Sequence, residues 1–272
     1  MQRGGESTEA GDSAKMQQAL DDELNRFVDD DPGRSVAVRI LDEPAVSLSV
    51  AADVVRPAGS FVKLLPAIAL YRAAHAGDVD LDATVRRDDL GTTMYPSILE
   101  VFAADRWLTL REVAAFSLIT SDNPAAEHIL GVVGPERIEE VGRELGLDHT
   151  HVSIGFRDDD LGDAGRANTT TAHEALWLVE HIETMPELAE LRRFLINNQR
   201  NTRIPVRLAD EIPVMHKTGS LANVANDAGV IYHPAGRVAV AYLCDRQGDP
   251  TLTSVEIGDS ALRVTEIIAD LR

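Results

Sequence analysis

Apolar residues recur along the chain in two rhythms, and the order of those rhythms constrains the fold. Leu20, Leu24 and Val28 repeat at four-residue spacing and predict an amphipathic helix over Lys15–Val28. Ser35–Leu41 and Val46–Val50 alternate apolar and polar positions, predicting two strands joined by a turn at Asp42-Glu43-Pro44. A long helical region follows, over Ser60–His75, Thr109–Thr120, Pro124–Val133, Pro135–Leu145, Thr171–Ile182 and Pro186–Asn197. Thr109-x-x-Glu112 and Thr171-x-x-Glu174 read as capping boxes, and Pro124 and Pro135 suit first helical positions. Pro66 lies deep in its predicted helix, frees the Val62 carbonyl and predicts a kink. Strands return at Ile212–Lys217, Ala228–His233 and Val238–Cys244, and a helix over Ser254–Leu271 follows.

This order is not an alternating βα pattern. It predicts an α+β fold, an α/β sandwich in which both chain ends build one antiparallel sheet of about five strands. N- and C-terminal helices flank the sheet, and an all-helical lobe is inserted. Residues 15–59 and 212–272 form the sheet lobe, 60–211 the helical lobe, and the site is expected between them. Residues 1–14 are polar, acidic and rich in small residues, and are expected to be disordered. They lack the apolar core of a secretory leader. The expected compartment is cytoplasmic as the sequence stands, and secreted or periplasmic if a leader has been removed. The longest apolar stretch, Leu64 to Tyr71, is far short of the ~20 residues a spanning helix needs.

Charge narrows the classes of partner. Forty-five acids against 26 bases give a net charge of −19, which disfavours non-specific binding to nucleic acid or anionic lipid. Only three bases are Lys, at positions 15, 63 and 217. A salt-loving host and a high-GC genome explain that bias equally well. The solitary Cys244 excludes an internal disulfide and a Cys-rich zinc site. His149-x-His151 lacks a third ligand nearby and reads as surface histidines, so no metal and no organic cofactor are expected. The expected partner is a small molecule, and the expected state a monomer.

Three short motifs carry candidate chemistry. Ser60-Phe61-Val62-Lys63 opens a helix after Pro57-Ala58-Gly59. A Ser there feels the positive end of the helix dipole, and Lys63 is three residues on, on the same face. Ser121-Asp122-Asn123 falls at a break between two helices, where a hydroxyl can relay a proton and an amide can grip a carbonyl. The bland reading makes Asn123 or Asp122 an N-cap before Pro124. His216-Lys217-Thr218-Gly219-Ser220 ends a strand. Gly219 permits close backbone approach to a ligand, and Lys217, Thr218 and Ser220 suit a carboxylate. Each motif alone is weak. Yet two of only three lysines complete the first and third, which makes the set specific.

Ser-x-x-Lys, Ser-Asp-Asn and Lys-Thr-Gly in this order resemble class A β-lactamases and related penicillin-binding proteins. The resemblance covers about residues 20–272, and extends to Arg166–Thr171, Asn198-Gln199 and Arg203-Ile204-Pro205. It implies a serine acyl-enzyme that opens β-lactams: Ser60 nucleophile, Lys63 base, Ser121 proton donor and Lys217 fixed positive charge. The N–H groups of Ser60 and Ser220 would form the oxyanion hole. Asn123, Thr218, Gly219 and Ser220 would bind substrate, with Tyr95 as an aromatic wall. The family's hydrolytic members carry Glu-x-Glu-Leu-Asn before the Thr run. Here the nearest match is Asp158-Asp159-Asp160-Leu161-Gly162, in a loop about three residues shorter. Either Asp158 replaces the Glu or the three acids are a solvated run. Gly162 cannot hold the water, and Asn168 replaces the Asp that ties the loop down. The expectation is acylation with slow deacylation. The alternatives are a peptidase, esterase or acyl-transferase, or a penicillin-binding sensor that stays acylated.

Overall fold

The computed structural model describes residues 6–42, 46–157 and 167–270. Its centre is a five-stranded antiparallel sheet in the order β2-β1-β9-β8-β7. The strands are β1 (Arg34–Ile40), β2 (Ser47–Val50), β7 (Val214–Leu221), β8 (Val224–His233) and β9 (Gly236–Cys244). Both chain ends thus contribute to one sheet, as the hydrophobic rhythm predicts. Register pairs Val36 with Tyr242 on one side and Lys217 with Ala228 on the other. Among the described residues no helix is long and apolar enough to cross a membrane.

Alternation within the central strands explains the layering. Val36, Val38 and Ile40 of β1, and Val238, Val240, Tyr242 and Cys244 of β9, face α1 (Glu6–Val28) and α8 (Pro250–Asp270). They pack there against Leu20, Leu24, Phe27, Ile257, Val264 and Ile268. The opposite face carries Ala37, Ala239, Ala241 and Leu243, mostly small residues. Those alanines leave room for α6 (Ala172–Thr184), whose Leu178, Val179 and Ile182 join the larger core. That core continues into α2 (Leu64–His75), α3 (Leu110–Ile119), α4 (Asn123–Val133), α5 (Pro135–Glu144) and α7 (Ala189–Ile196).

Several expectations change at element ends. Helix α1 begins at Glu6, so residues 6–14, expected to be disordered, continue it. Glu43 and Pro44 of the expected hairpin turn lie outside the described residues. The helix expected from Ser60 is instead a 3₁₀ segment, Gly59–Lys63, followed by α2 from Leu64. Pro66 therefore falls in the first turn of α2, where its missing N–H leaves no carbonyl unpaired in the helix interior, and the expected kink loses its cause. Thr109 and Glu112 complete a capping box, whereas Thr171 caps alone. Glu174 turns away to accept from the Asp148 and His149 N–H groups and the Thr150 hydroxyl. Two small ladders had no periodic signal: β3 (Arg56–Pro57) with β6 (Thr169–Thr170), and β4 (Thr84–Arg86) with β5 (Trp107–Thr109).

The 3₁₀ segment docks on β7 by direct backbone contact. A Cβ on Gly219 would lie 2.1 Å from the Ala58 carbonyl oxygen, and one on Gly59 (φ +55°) 2.8 Å from the Ser220 nitrogen. The close approach that Gly219 permits is therefore to the Ala58–Phe61 backbone, rather than to a ligand as the motif suggested. Asn226 reinforces the contact, its Nδ2 donating to the Pro57 and Ala58 carbonyls at 2.8 and 3.2 Å. Gly219→Ala should destabilise the protein by roughly 1–3 kcal/mol through overpacking. Gly131→Ala, inside α4 with nothing within 4 Å of the new methyl, should stabilise it by roughly 0.5–1 kcal/mol. Urea unfolding of both variants checks the opposite signs.

Candidate active site

The cleft is built around the break between α3 and α4. Helix α3 ends with Thr120 and Asp122 both donating backbone N–H to the Phe116 carbonyl. The residue between them, Ser121, takes a left-handed conformation at φ +61°, one that non-glycine residues adopt at a cost. This conformation presents two atoms to two lysines. Its carbonyl accepts from Lys63 Nζ at 2.7 Å, and its hydroxyl oxygen accepts from Lys217 Nζ at 2.9 Å. Asp122, buried, is the N-cap of α4: its Oδ1 accepts from the Ala125 N–H, and its Oδ2 from the Ser97 hydroxyl and Ile98 N–H. Capping by Asp122 leaves Asn123 free for the cleft, where its Oδ1 accepts from Lys63 Nζ at 2.7 Å.

Both ammonium groups have left water. Lys63 is 1% exposed and Lys217 0%. Burial, then the charge of Lys217, pushes the Lys63 pKa well below the ordinary lysine value. A neutral amine has two N–H donors and one lone pair. Lys63 Nζ has three acceptors in reach, the Ser121 carbonyl and Asn123 Oδ1 at 2.7 Å and the Asp122 carbonyl at 3.4 Å, so the two donors of a neutral amine would be satisfied there as well. Burial also lowers Lys217, to about 7; Asp227 opposes the shift, and Arg203 and Arg200 add to it. Lys217 gives its second hydrogen bond to the Thr218 carbonyl at 3.0 Å.

Ser60 is half-buried in the 3₁₀ segment, and among the described residues its hydroxyl accepts or donates no hydrogen bond. Lys63 donates to Ser121 and Asn123, with no hydrogen bond to Ser60 among the described residues, while the 3₁₀ turn keeps residues three apart on one face, the side shared by Ser60 and Lys63. Ser220 is exposed, and its Oγ accepts from Arg203 Nη2 at 2.6 Å. Thr218 is buried beside it. Tyr95 is 50% exposed and enters no ring pair or side-chain hydrogen bond among the described residues. Asp158 lies outside the described residues. Asn168 overturns one expectation: its Oδ1 accepts from the Ser153 and Ile154 N–H groups at 2.8 and 2.9 Å, and its Nδ2 donates to Ile154. An amide, with donor and acceptor together, ties this segment down.

Four participants escaped the sequence reading. The Phe156 ring stands over Lys63 with its centroid 5.1 Å from Nζ, packed among Ala58, Val62 and Ala126. Arg203, buried, donates to the Gly219 and Asn226 carbonyls as well as to Ser220. Behind Lys217, His216 Nδ1 donates to the buried Asp227 at 3.0 Å. None of these has a local signal except Arg203, which stands in a run that resembled the family.

A cleft with a serine, two buried lysines and a second serine hydroxyl bonded to one of them, set between an antiparallel sheet and a helical layer, fits a serine hydrolase. The chain belongs to the β-lactamase enzyme family, which matches residues 19–268. It is 29% identical to a β-lactamase of Bacillus licheniformis, over 89% of this chain and 78% of that one. It is 26% identical to a β-lactamase regulatory protein, BlaB, of Streptomyces cacaoi, over 74% of this chain and 80% of that one. Among solved structures it resembles a β-lactamase from Sphaerobacter thermophilus in fold, with TM-score 0.80 at 22% identity, covering 93% of this chain and 97% of that one. It also resembles PBP-A, with TM-score 0.79 at 25% identity, covering 94% and 96%.

Three lysines make the electrostatics directly measurable. In a chain labelled at lysine, NMR should show Lys15, Lys63 and Lys217 as three resolved titrations. Lys217 should titrate near pH 7, and Lys63 should stay neutral well below the ordinary lysine range. Because unfolding restores ordinary proton affinity to both, the unfolded chain binds more protons above pH 7, and these two groups make stability rise with pH toward about 10.4. Lys217→Met should flatten that slope in pH-dependent urea melts. A Lys217 signal titrating near 10 would contradict this account.

Proposed function

We propose that the protein is a serine acyl-enzyme that opens β-lactam rings and releases the acyl group slowly. Ser60 Oγ attacks the lactam carbonyl while the Lys63 lone pair takes its proton. The carbonyl oxygen, becoming an oxyanion, is held by the Ser60 and Ser220 N–H groups. The C–N bond then breaks, and Ser121 gives its hydroxyl proton to the departing nitrogen, replaced through the Lys217–Ser121 hydrogen bond. Lys217, Thr218 and Ser220 receive the substrate carboxylate, with Arg203 behind Ser220. Asn123 grips the acyl-side amide.

The observation that carries slow release is the Phe156 ring over Lys63. Deacylation needs a group that activates water at the ester, and Phe156 fills that side of Lys63 with carbon. Two carboxylates among the described residues near it are engaged elsewhere. Asp122 caps α4, and Glu127 accepts from the Phe156 N–H at 2.7 Å and from Arg157. The similar protein PBP-A, as a Leu-to-Glu variant, has been captured as an acyl-enzyme complex with penicillin G. The likeness to a regulatory protein favours a second use of the same chemistry, a sensor whose acylated state is the signal.

Intact-mass spectrometry over time with benzylpenicillin tests the proposal. A one-to-one adduct should form and persist in the parent, and be absent in Ser60→Ala. Lys63→Arg, which keeps charge but cannot accept the proton, should slow adduct formation by about 10²–10⁴-fold. Ser121→Gly suits the left-handed backbone and removes the hydroxymethyl group, so acylation should fall without loss of thermal stability. Phe156→Glu should shorten the adduct's lifetime at least tenfold. Rapid turnover without adduct in the parent would overturn slow release, and labelling of Ser60→Ala would overturn the nucleophile.

A further inference from the structure

The chain is strongly acidic, and its arginines are mostly neutralised. Among the described residues every arginine pairs with a carboxylate except Arg143, Arg192, Arg200 and Arg203. Two of these four border the cleft, beside two lysines that also lack a carboxylate partner. Arg203 is satisfied by carbonyls and hydroxyls. Arg200 is not. It is exposed, and its side chain makes one hydrogen bond, from Nε to the Thr120 carbonyl at 3.2 Å. Its Nη groups donate to no described residue.

Its mount is rigid. The Arg200 N–H donates to Asn198 Oδ1 at 2.7 Å, and the buried Asn198 donates to the His216 carbonyl at 2.8 Å, one residue before Lys217. The neighbouring Gln199 N–H donates to the Ile119 carbonyl at 2.9 Å. The Arg200 backbone is thus tied to the β7 wall through Asn198, and its Nε to the end of α3 at Thr120, beside Ser121, on the side where the departing nitrogen takes its proton. Its charge is felt by Lys63, Lys217 and Arg203 alike. One substrate carboxylate on Lys217 leaves Arg200 uncompensated.

We propose that Arg200 is a specificity residue that receives a second negative charge on the leaving half of the substrate. Substrates whose departing group carries two carboxylates are preferred over those carrying one. The inference rests on the acyl-enzyme reading for which side of the cleft is the leaving side. The planar guanidinium offers two parallel N–H donors to that second carboxylate, and the exposed setting makes the effect modest and salt-sensitive.

Thioesters test it, because the leaving group can be changed without touching the acyl part. Benzoylglycyl thioesters of mercaptoacetate and mercaptosuccinate differ by one carboxylate on the departing thiol. In each, the Ser60 Oγ–carbon bond forms as the carbon–sulfur bond breaks and the sulfur leaves as thiol. The parent should favour the mercaptosuccinate ester in kcat/KM by about five- to tenfold at low salt. Arg200→Gln should erase that preference, and Arg200→Lys should restore part of it. A second arm needs no turnover: succinate should bind the full chain at least fivefold more tightly than acetate by calorimetry, and Arg200→Gln should remove the difference. A parent without preference in either arm, or a preference that survives Arg200→Gln, overturns the proposal. If neither thioester nor penicillin labels Ser60 while succinate still binds through Arg200, the acyl-enzyme reading fails and the anion site stands.

Discussion

Burying two lysine side chains against one serine is the constraint around which the rest of the cleft is arranged. An isolated ammonium costs several kcal/mol to remove from water, so each lysine must be neutralised, hydrogen-bonded or both. Lys63, its pKa lowered by burial and by Lys217, is met by the Ser121 carbonyl, Asn123 Oδ1 and the Asp122 carbonyl. Lys217 keeps a buried counter-charge in range, Asp227, itself held by His216 and by the Ile204 N–H. Ser121 serves both lysines only because its backbone is left-handed. That conformation is in turn held by the α3 end and the Asp122 cap.

This arrangement needs the two halves of the cleft to be fixed within tenths of an ångström. Direct backbone contact between the Gly59–Lys63 segment and β7 does that, with glycine on both sides of the contact. Asn226 and Asn168 tie the same turn from two directions: Asn226 through the Pro57 and Ala58 carbonyls, and Asn168 through its own carbonyl, which accepts from the Ala58 N–H at 2.7 Å. Arg56, buried, staples the preceding residues to the sheet through Ser35, the Pro32 and Arg34 carbonyls, and Asp245. The candidate nucleophile is therefore carried by a rigid seam rather than a mobile loop.

The two sides of Lys63 differ in kind. Toward Ser121 the cleft is polar, cationic and suited to forming an ester. Toward Phe156 it is carbon. That division is the basis of the proposal that acylation outpaces release. Among the described residues most arginines pair with carboxylates, whereas Lys63, Lys217, Arg200 and Arg203 stand at the cleft with no salt-bridge partner.

Much of this is written locally. The valines and isoleucines alternating along β1 and β9, the four-residue stripe of α1 and the Thr109–Glu112 box each act through neighbours two to four residues away, so periodicity alone places them. The Ser60, Lys63, Ser121 and Lys217 set was legible because two of the three lysines in a lysine-poor chain complete short motifs. Other features depend on residues far apart in the chain, and no local pattern encodes them. Phe156 and Lys63 meet only when the segment tied by Asn168 folds back over the 3₁₀ turn, and Gly219 is a glycine because Ala58 lies against it. Among the described residues Arg200 has no carboxylate partner, which follows from where folding places its guanidinium and not from any local pattern. Sequence determined which groups could carry chemistry; tertiary packing, which sets distance and excludes water, decided which of them face one another and which side of the cleft stays dry.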